Sequence, residues 1–453
     1  MKTLSFPLDA FDPLQLYLVM CPDGPGLLES LNPRPKTGRY SIVPLRTREQ
    51  YRLTSNRLYW QTTDNHSGAS PTPLSTLADI LQHRRCPPSP DTPFPGGFFG
   101  CFGYDLAHQI ENLPRQAVRD SGLSDLYLAW VDVTAVYDHQ KRTMTLASLD
   151  DELDLSLLKA EVTEALQQST PPAALQVQGS PVPFLSEEEF IYRVERAKSY
   201  IAAGDIYQVN LSCRFDTALA GPSTELYRRL RRANPSPFAC LLHFDDVDII
   251  SSSPERLVSL RNGIAETRPI AGTRPRGFTP PEDNLLGEEL LGHPKERAEH
   301  IMLLDLERND LGKVCTAGTV SVDELMVLER YSHVTHIVSN VRGILRPECH
   351  AIDLLRAAFP GGTITGVPKK RCMEIIDELE PTGRSSYTGS AGYLSACGGM
   401  DLNILIRGFE RRGASIRYQT GAGIVADSLP HNEWQECLHK GEALRLLLMT
   451  CQG

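Results

Sequence analysis

Four glutamates on two helical stretches are the residues of this 453-residue chain best able to do chemistry together. Glu296 and Glu299 lie in HPKERAEHIMLLDL (293–306), where Pro294 suits a first helical turn. Glu433 and Glu436 repeat the spacing in LPHNEWQECLHKGEALRLLL (429–448). Residues three apart share one face of a helix. Two such pairs on separate helices can converge on one hard cation. Oxygen-only ligation suits Mg²⁺, which keeps waters and shares its shell with an anionic substrate. Taken alone, either pair is more often a solvated face with Glu–Lys or Glu–Arg partners.

Other segments offer anion-binding or proton-transfer groups. Gly421 and Gly423 flank Ala422 after the strand-like SIRYQT, and glycines there let backbone N–H groups approach a carboxylate. The alternative is a turn or bulge. PGGTITGVPKKR (360–371) reads as a Gly/Thr loop entering a helix, with Lys369 nearby, an arrangement able to bind an anion. Arg407, in the strand-like ILIRGF, can form a bidentate pair with a carboxylate or be a surface charge. Glu255 ends an apolar run; desolvation would raise its pKa and make it a general acid, unless it pairs with Arg256 or Arg268. His333 and His336 have a spacing that suits a helix. No third N or S ligand stands nearby for zinc, which leaves acid–base work or a satisfied core histidine.

The elements that must position these groups divide at a Pro- and Gln-rich stretch, 166–185. Before it, in 1–165, YSIVPL (40–45), YLAWVDVTAVYD (127–138) and TMTLASL (143–149) read as strands. FPGGFFGCFGYD (94–105) lacks the pattern of a phosphate loop and reads as a strand packed against close backbone. After it, in 186–453, Ser186 and Glu189 form a capping box. Phe190, Val194, Ala197 and Ile201 make the apolar stripe of the helix that follows, and IYQVNLSCRF (206–215) reads as a strand. The reading is α+β with large sheets. A net charge of −10 makes nucleic acid and anionic membranes poor partners. Eleven cysteines without CxxC spacing suit a reducing cytosol. No signal peptide or membrane-spanning run is expected, so the expected location is cytoplasmic.

The order SPER, RPIAGT, KERAEH, DLERND, YSHVTHIVS, FPGGTITGVPK, MEIIDELEP, GYLSACGGMDLNILIR and GAGIVADS, closed by the terminal ExxE, resembles the chorismate-binding domain. Anthranilate synthase component I, aminodeoxychorismate synthase component I, and the isochorismate and salicylate synthases share this domain. The resemblance covers about 186–448 and, more weakly, 1–165. It implies a two-subdomain α+β fold with antiparallel sheets forming a sandwich core and helices outside. It also implies that Glu299 and Glu436 ligate Mg²⁺, with Glu296 and Glu433 behind them or on the metal's waters. Arg407 and Tyr387 would meet one carboxylate of chorismate. Gly421, Gly423 and Thr363 would meet a carboxylate, with Thr273 and Lys440 also lining the substrate. Glu255 would be the acid that assists loss of the C4 hydroxyl, and His336 would lie against the ring. Gln208 stands where water-adding members place a Lys, which favours ammonia as nucleophile. No G-x-C-x-G elbow is present, so a separate glutaminase subunit is expected.

PGGTITG, Cys397, FGYDL (102–106) and VYDHQ (136–140) resemble the aminodeoxychorismate branch, which aminates C4. Ala271 stands where many of that branch have a nucleophilic Lys, and RYSHVTHIVS resembles the anthranilate branch, which aminates C2 and releases pyruvate. Leu28 and Ser30 in LLES, with Pro237 and Phe238 in NPSPF, resemble the segments that form a tryptophan pocket in anthranilate synthases; packing next to turns is the alternative.

Overall fold

The structure, a computed structural model, describes residues 1–32, 36–330 and 334–451. Among the described residues the strands join into one hydrogen-bonded network of 22, and the pairings between named strands are antiparallel. The middle of the network is apolar on both faces. Strand Leu126–Asp138 is buried at every position. Side chains alternate across a strand. Accordingly Leu126, Leu128 and Trp130 join the larger apolar cluster, and Tyr127, Ala129 and Val131 join a smaller one. Strand Gly97–Phe102 splits the same way, with Phe98 and Phe102 on one side and Phe99 and Cys101 on the other. Strand Phe238–Phe244 turns Cys240, Leu242 and Phe244 into the smaller cluster from the opposite wing, where Phe244 stacks on Tyr127 at 5.6 Å. This is the sandwich core, with about 1.5–3 kcal/mol gained for each large apolar side chain buried.

Close backbone approach explains the glycines of the 94–105 segment. A Cβ on Gly100, at φ 150°, would run into the carbonyl oxygen of Tyr127. The strand Gly97–Phe102 pairs with Ser390–Ser395, so chain from before 165 is hydrogen-bonded directly to chain from after 186. The 166–185 stretch, expected as a linker, contains strand Gln176–Pro183, which pairs with Gln208–Ala220. The fold is therefore interleaved across the expected division.

Helices cover the larger cluster. In Glu187–Ala202 the capping box forms as expected: Ser186 Oγ accepts from Glu189 N at 3.2 Å, and Glu189 Oε2 accepts from Ser186 N at 2.9 Å. Helix Pro430–Met449 buries Trp434, Cys437, Gly441, Leu444 and Leu448, a stripe at helical spacing, and Trp434 packs on Phe190 at 5.5 Å. Helix Pro294–Gly312 buries His300, Leu303, Leu304, Glu307, Asp310 and Leu311. Among the described residues no helix is long and apolar enough to cross a membrane.

Three local expectations are corrected. His336 lies on strand Val334–Ile344, where strands Ile270–Pro275 and Ser321–Arg330 pair on either side of it; His333 lies outside the described residues. Arg407 sits between strands Met400–Asn403 and Gly408–Arg412, in a left-handed backbone conformation at φ 56°. The 360–367 loop does not run straight into a helix. Gly366–Val367 first pairs with Gln208 and Val209, and the helix begins only at Lys369, after Pro368.

Candidate active site

Glu255 is the centre of the site. It follows strand Val247–Ser253 and is 7% exposed. Burial pushes its carboxyl up to about 7; a hydrogen bond from Thr363 and the charges of Arg407 and Lys440 pull the other way. Thr363 Oγ1 donates to Glu255 Oε1 at 2.7 Å. The alternative pairings are taken elsewhere: Arg256 holds Asp401 at 2.8 Å, and Arg268 holds Glu324 and Glu329 at 2.6 Å each. A carboxyl desolvated without a salt bridge keeps its proton near neutrality and can give it to a leaving group.

Around it stand groups for an anion. Arg407 donates to the carbonyl oxygen of Lys440 at 2.7 Å, and burial lowers it from its ordinary value while Tyr387, Glu436 and Glu255 oppose that. The left-handed backbone at Arg407 is the kind of strain that gathers at functional sites. Lys440 Nζ donates to the carbonyl oxygen of Gly421 at 3.0 Å and reaches Glu436 at 2.5 Å. Gly421 and Gly423 face Ser212 and Asn210 across strands Ser415–Ile424 and Gln208–Ala220. A Cβ on Gly421 would lie 2.6 Å from Asn210 Oδ1 and 3.0 Å from the Tyr387 hydroxyl; one on Gly423 would lie 2.6 Å from Gln208 Nε2. At Gly421 the carbonyl oxygen of Leu211 would also lie 2.8 Å from such a Cβ, so only glycine fits there; at Gly423 the Gln208 side chain would have to move. Gln208 Oε1 and Asn210 Oδ1 are buried acceptors with no donor among the described residues.

The four expected metal-region carboxylates fall on two helices that share one electrostatic environment. Burial holds Glu299 above the usual carboxylate range; Lys295 opposes this, and Glu296 and Glu436 add to it. Burial also raises Glu433, opposed by a hydrogen bond to Ser428 and reinforced by Glu436. Lysines and an arginine lean on the carboxylates: Lys295 on Glu299 at 3.7 Å, Lys440 on Glu436, and Arg274 on Glu296 at 3.4 Å. Among the described residues no three His, Cys, Asp or Glu side chains make a preformed metal cage. The donors are nonetheless all hard oxygens, crowded and partly desolvated, a set suited to a divalent cation that retains waters.

His336 forms a side wall. Its Nδ1 lies 3.0 Å from Thr273 Oγ1 and 3.1 Å from the carbonyl oxygen of Gly272. Ala271 and Thr273 lie on strand Ile270–Pro275, opposite Ile337 and His336. Between them Gly272, at φ 67°, leaves only 3.0 Å between a would-be Cβ and Glu296 Oε2, which ties this wall to the glutamate helix.

Leu28, Ser30, Pro237 and Phe238 gather elsewhere, around a cavity of about 1270 Å³ that also takes in Tyr393, Cys397 and Asp401. Ser30 Oγ donates to the carbonyl oxygens of Tyr40 and Pro237 at 2.9 and 3.1 Å. Lys369, expected as an anion ligand, is instead spent on Asp310 at 2.5 Å. Glu307, Asp310 and the Glu380–Arg384 pair had no assigned role, although Glu307 and Asp310 continue the face of Glu299 at helical spacing.

The model of the family described as chorismate binding enzyme matches residues 39–445. The chain belongs to the chorismate-binding enzymes. Within that family it is 48% identical over 355 residues to an anthranilate synthase component I-like protein of Synechocystis sp., covering 78% of this chain and 72% of the relative. It is 45% identical over 363 residues to aminodeoxychorismate synthase component 1 of Bacillus subtilis, covering 78% and 77%. The solved structure of anthranilate synthase component I from Streptococcus pneumoniae is 34% identical, with a TM-score of 0.78 over 92% of this chain and 93% of that one. This chorismate-binding enzyme thus has relatives named for two aminating reactions, and its antiparallel architecture is that of the family.

Proposed function

We propose that the chain aminates chorismate at C4 to give 4-amino-4-deoxychorismate, on the route to para-aminobenzoate and folate. The observation that carries this reading is Glu255: a buried carboxyl with a raised pKa, hydrogen-bonded by Thr363 and beside Arg407 and Lys440, the latter in turn paired with Glu436. Arg407 and Tyr387 take one substrate carboxylate, and the backbone N–H groups beside Gly421 and Gly423 take charge on another. Glu299 and Glu436 would hold Mg²⁺, with Glu296 and Glu433 near it; the bound ion would neutralise substrate charge. Glu255 then gives its proton to the C4 hydroxyl, which leaves as water while the nitrogen of ammonia becomes bonded to C4. The unpartnered amide oxygens of Gln208 and Asn210 are acceptors suited to the N–H groups of ammonia. Ammonia is mostly protonated in neutral water, so its supply fits a separate glutaminase subunit; the component names of the relatives point the same way. The eleven unpaired thiols suit the cytoplasm.

One observation favours a second reading, C2 amination to anthranilate with loss of pyruvate. Ala271, opposite Ile337 in the wall that holds His336, has no amine with which to attack the ring. Product analysis of the purified chain with chorismate, Mg²⁺ and an ammonium salt separates the two. The first expects 4-amino-4-deoxychorismate by mass and no pyruvate; stoichiometric pyruvate with fluorescent anthranilate overturns it.

A further inference from the structure

We propose that Lys369 and Asp310 form a buried clamp that holds the 359–368 loop, and that the clamp acts on the chemistry through Thr363 and its hydrogen bond to Glu255. The catalytic part rests on the reading of Glu255 as the acid. Lys369 Nζ donates to Asp310 Oδ2 at 2.5 Å and to the carbonyl oxygen of Ala358 at 3.0 Å. Ala358 ends helix Ala351–Ala358 just before the loop, and Lys369 begins helix Lys369–Leu379 just after it. Asp310 belongs to the glutamate helix beneath and is 1% exposed; it also accepts from Lys313 Nζ at 2.9 Å. One ammonium therefore ties the loop's entrance, its exit and its floor.

The loop lies directly on that floor. A Cβ on Gly362 would collide with Leu306 and come within 3.4 Å of Glu307 Oε1. The next residue, Thr363, is the donor to Glu255. A charge-assisted contact in a dry interior is stiff; removing Asp310 strands the Lys369 ammonium, and removing Lys369 leaves Asp310 with Lys313 alone and the loop ends untied. The loop would then be free to shift, and a displacement of about 1 Å is enough to break a hydrogen bond and cost up to about 100-fold in rate. Lys369 touches no group expected to meet substrate; it is a positioning residue. The charged and titratable groups facing Glu255 are Arg407, Lys440 and Glu307. Glu307 also feels the clamp itself, raised by Asp310 and lowered by Lys369, so a purely electrostatic effect would shift Lys369→Met and Asp310→Asn in opposite senses, whereas release of the loop shifts both the same way.

The test compares Lys369→Met, Asp310→Asn, their double variant and Thr363→Val. Ammonium-driven chorismate consumption with Mg²⁺ is read across pH, and hydrogen exchange of the 359–368 peptide is read in parallel. Thr363→Val removes a hydrogen bond to the charged form of Glu255, so the falling limb of kcat/KM moves to higher pH. Both clamp variants are expected to reproduce that move and to lower kcat about 10- to 100-fold, with the chorismate KM changed by less than about 3-fold. The double variant is expected to be no worse than the poorer single one. Exchange of the loop accelerates in the clamp variants and stays slow in Thr363→Val. A clamp variant that loses thermal stability while its pH limb and loop exchange stay put overturns the proposal. If the wild-type chain consumes no chorismate, the reading of Glu255 as the acid fails by itself, and the clamp is decided by the exchange measurement.

Discussion

Glu255 owes its character to what it lacks. Both arginines near it in sequence are engaged by other carboxylates, so burial dominates and holds its proton to about 7. An acid works only while protonated. At fixed free ammonia, kcat/KM is therefore expected to be flat below about pH 6 and to fall as pH rises through about 7, tenfold per unit beyond. Glu255→Gln should remove that limb along with most of the rate. The raised Glu299 carboxyl tells a related story: burial and neighbouring acids oppose its charge, a strain that a divalent cation would relieve. Glu299→Ala and Glu436→Ala are each expected to cut turnover on the order of 1000-fold. Calorimetric titration with Mg²⁺ should show weakened binding in both, and unchanged binding would argue against these ligands.

At the scale of elements, helix Pro294–Gly312 links the glutamates proposed to hold a cation to the surroundings of Glu255, the proposed acid. Its first half carries Glu296 and Glu299, and its second half carries Glu307 and Asp310 under the Thr363 loop. A second scaffold is the buried Arg384–Glu380 pair at 2.7 Å, with Arg384 fully buried. Arg384 also donates to the carbonyl oxygens of Ile364 and Asn210 at 2.7 Å each, and Glu380 accepts from Ser212 N and Oγ. The pair thus joins the loop, the Gln208 strand and the Tyr387 segment. Arg384→Met is expected to destabilise by about 3–5 kcal/mol, because it leaves Glu380 buried and unpaired. Denaturant unfolding with chorismate turnover in parallel checks this. These links were only partly legible in the sequence. The capping box and the apolar stripes could be read because they are local and periodic. Of the partners of Arg384, Glu380 lies four residues away, but the carbonyl oxygens of Ile364 and Asn210 come from separated segments and could not be read.

At the scale of the whole molecule, the proposed acid site and a large cavity of different character coexist. The acid site lies where the two glutamate helices, the Gly421 strand and the Thr363 loop meet. The 1270 Å³ cavity around Ser30 and Pro237 is walled by strands from both halves of the chain. Filling it with tryptophan, as the resemblance implies, should stabilise the fold by about 2.7 kcal/mol at a concentration one hundred times Kd. A rise in melting temperature with added tryptophan, lost in Ser30→Trp, is the expected result; no rise would leave the cavity without this ligand.

The amino-acid sequence by itself determined the family, and it offered the two ExxE faces, Glu255 and the glycines of the 421–423 strand as candidates for the site. Each is carried by neighbours a few residues apart, and spacing along a helix or strand survives in one dimension. Other properties were decided by tertiary structure. Whether Glu255 is paired depends on where Arg256 and Arg268 point. Whether Lys369 binds an anion or closes a loop depends on Asp310 lying beneath it. Whether His336 belongs to a helix or a strand depends on strands Ile270–Pro275 and Ser321–Arg330 pairing on either side of it. Burial and long-range pairing set these properties, and both are created only when distant segments meet.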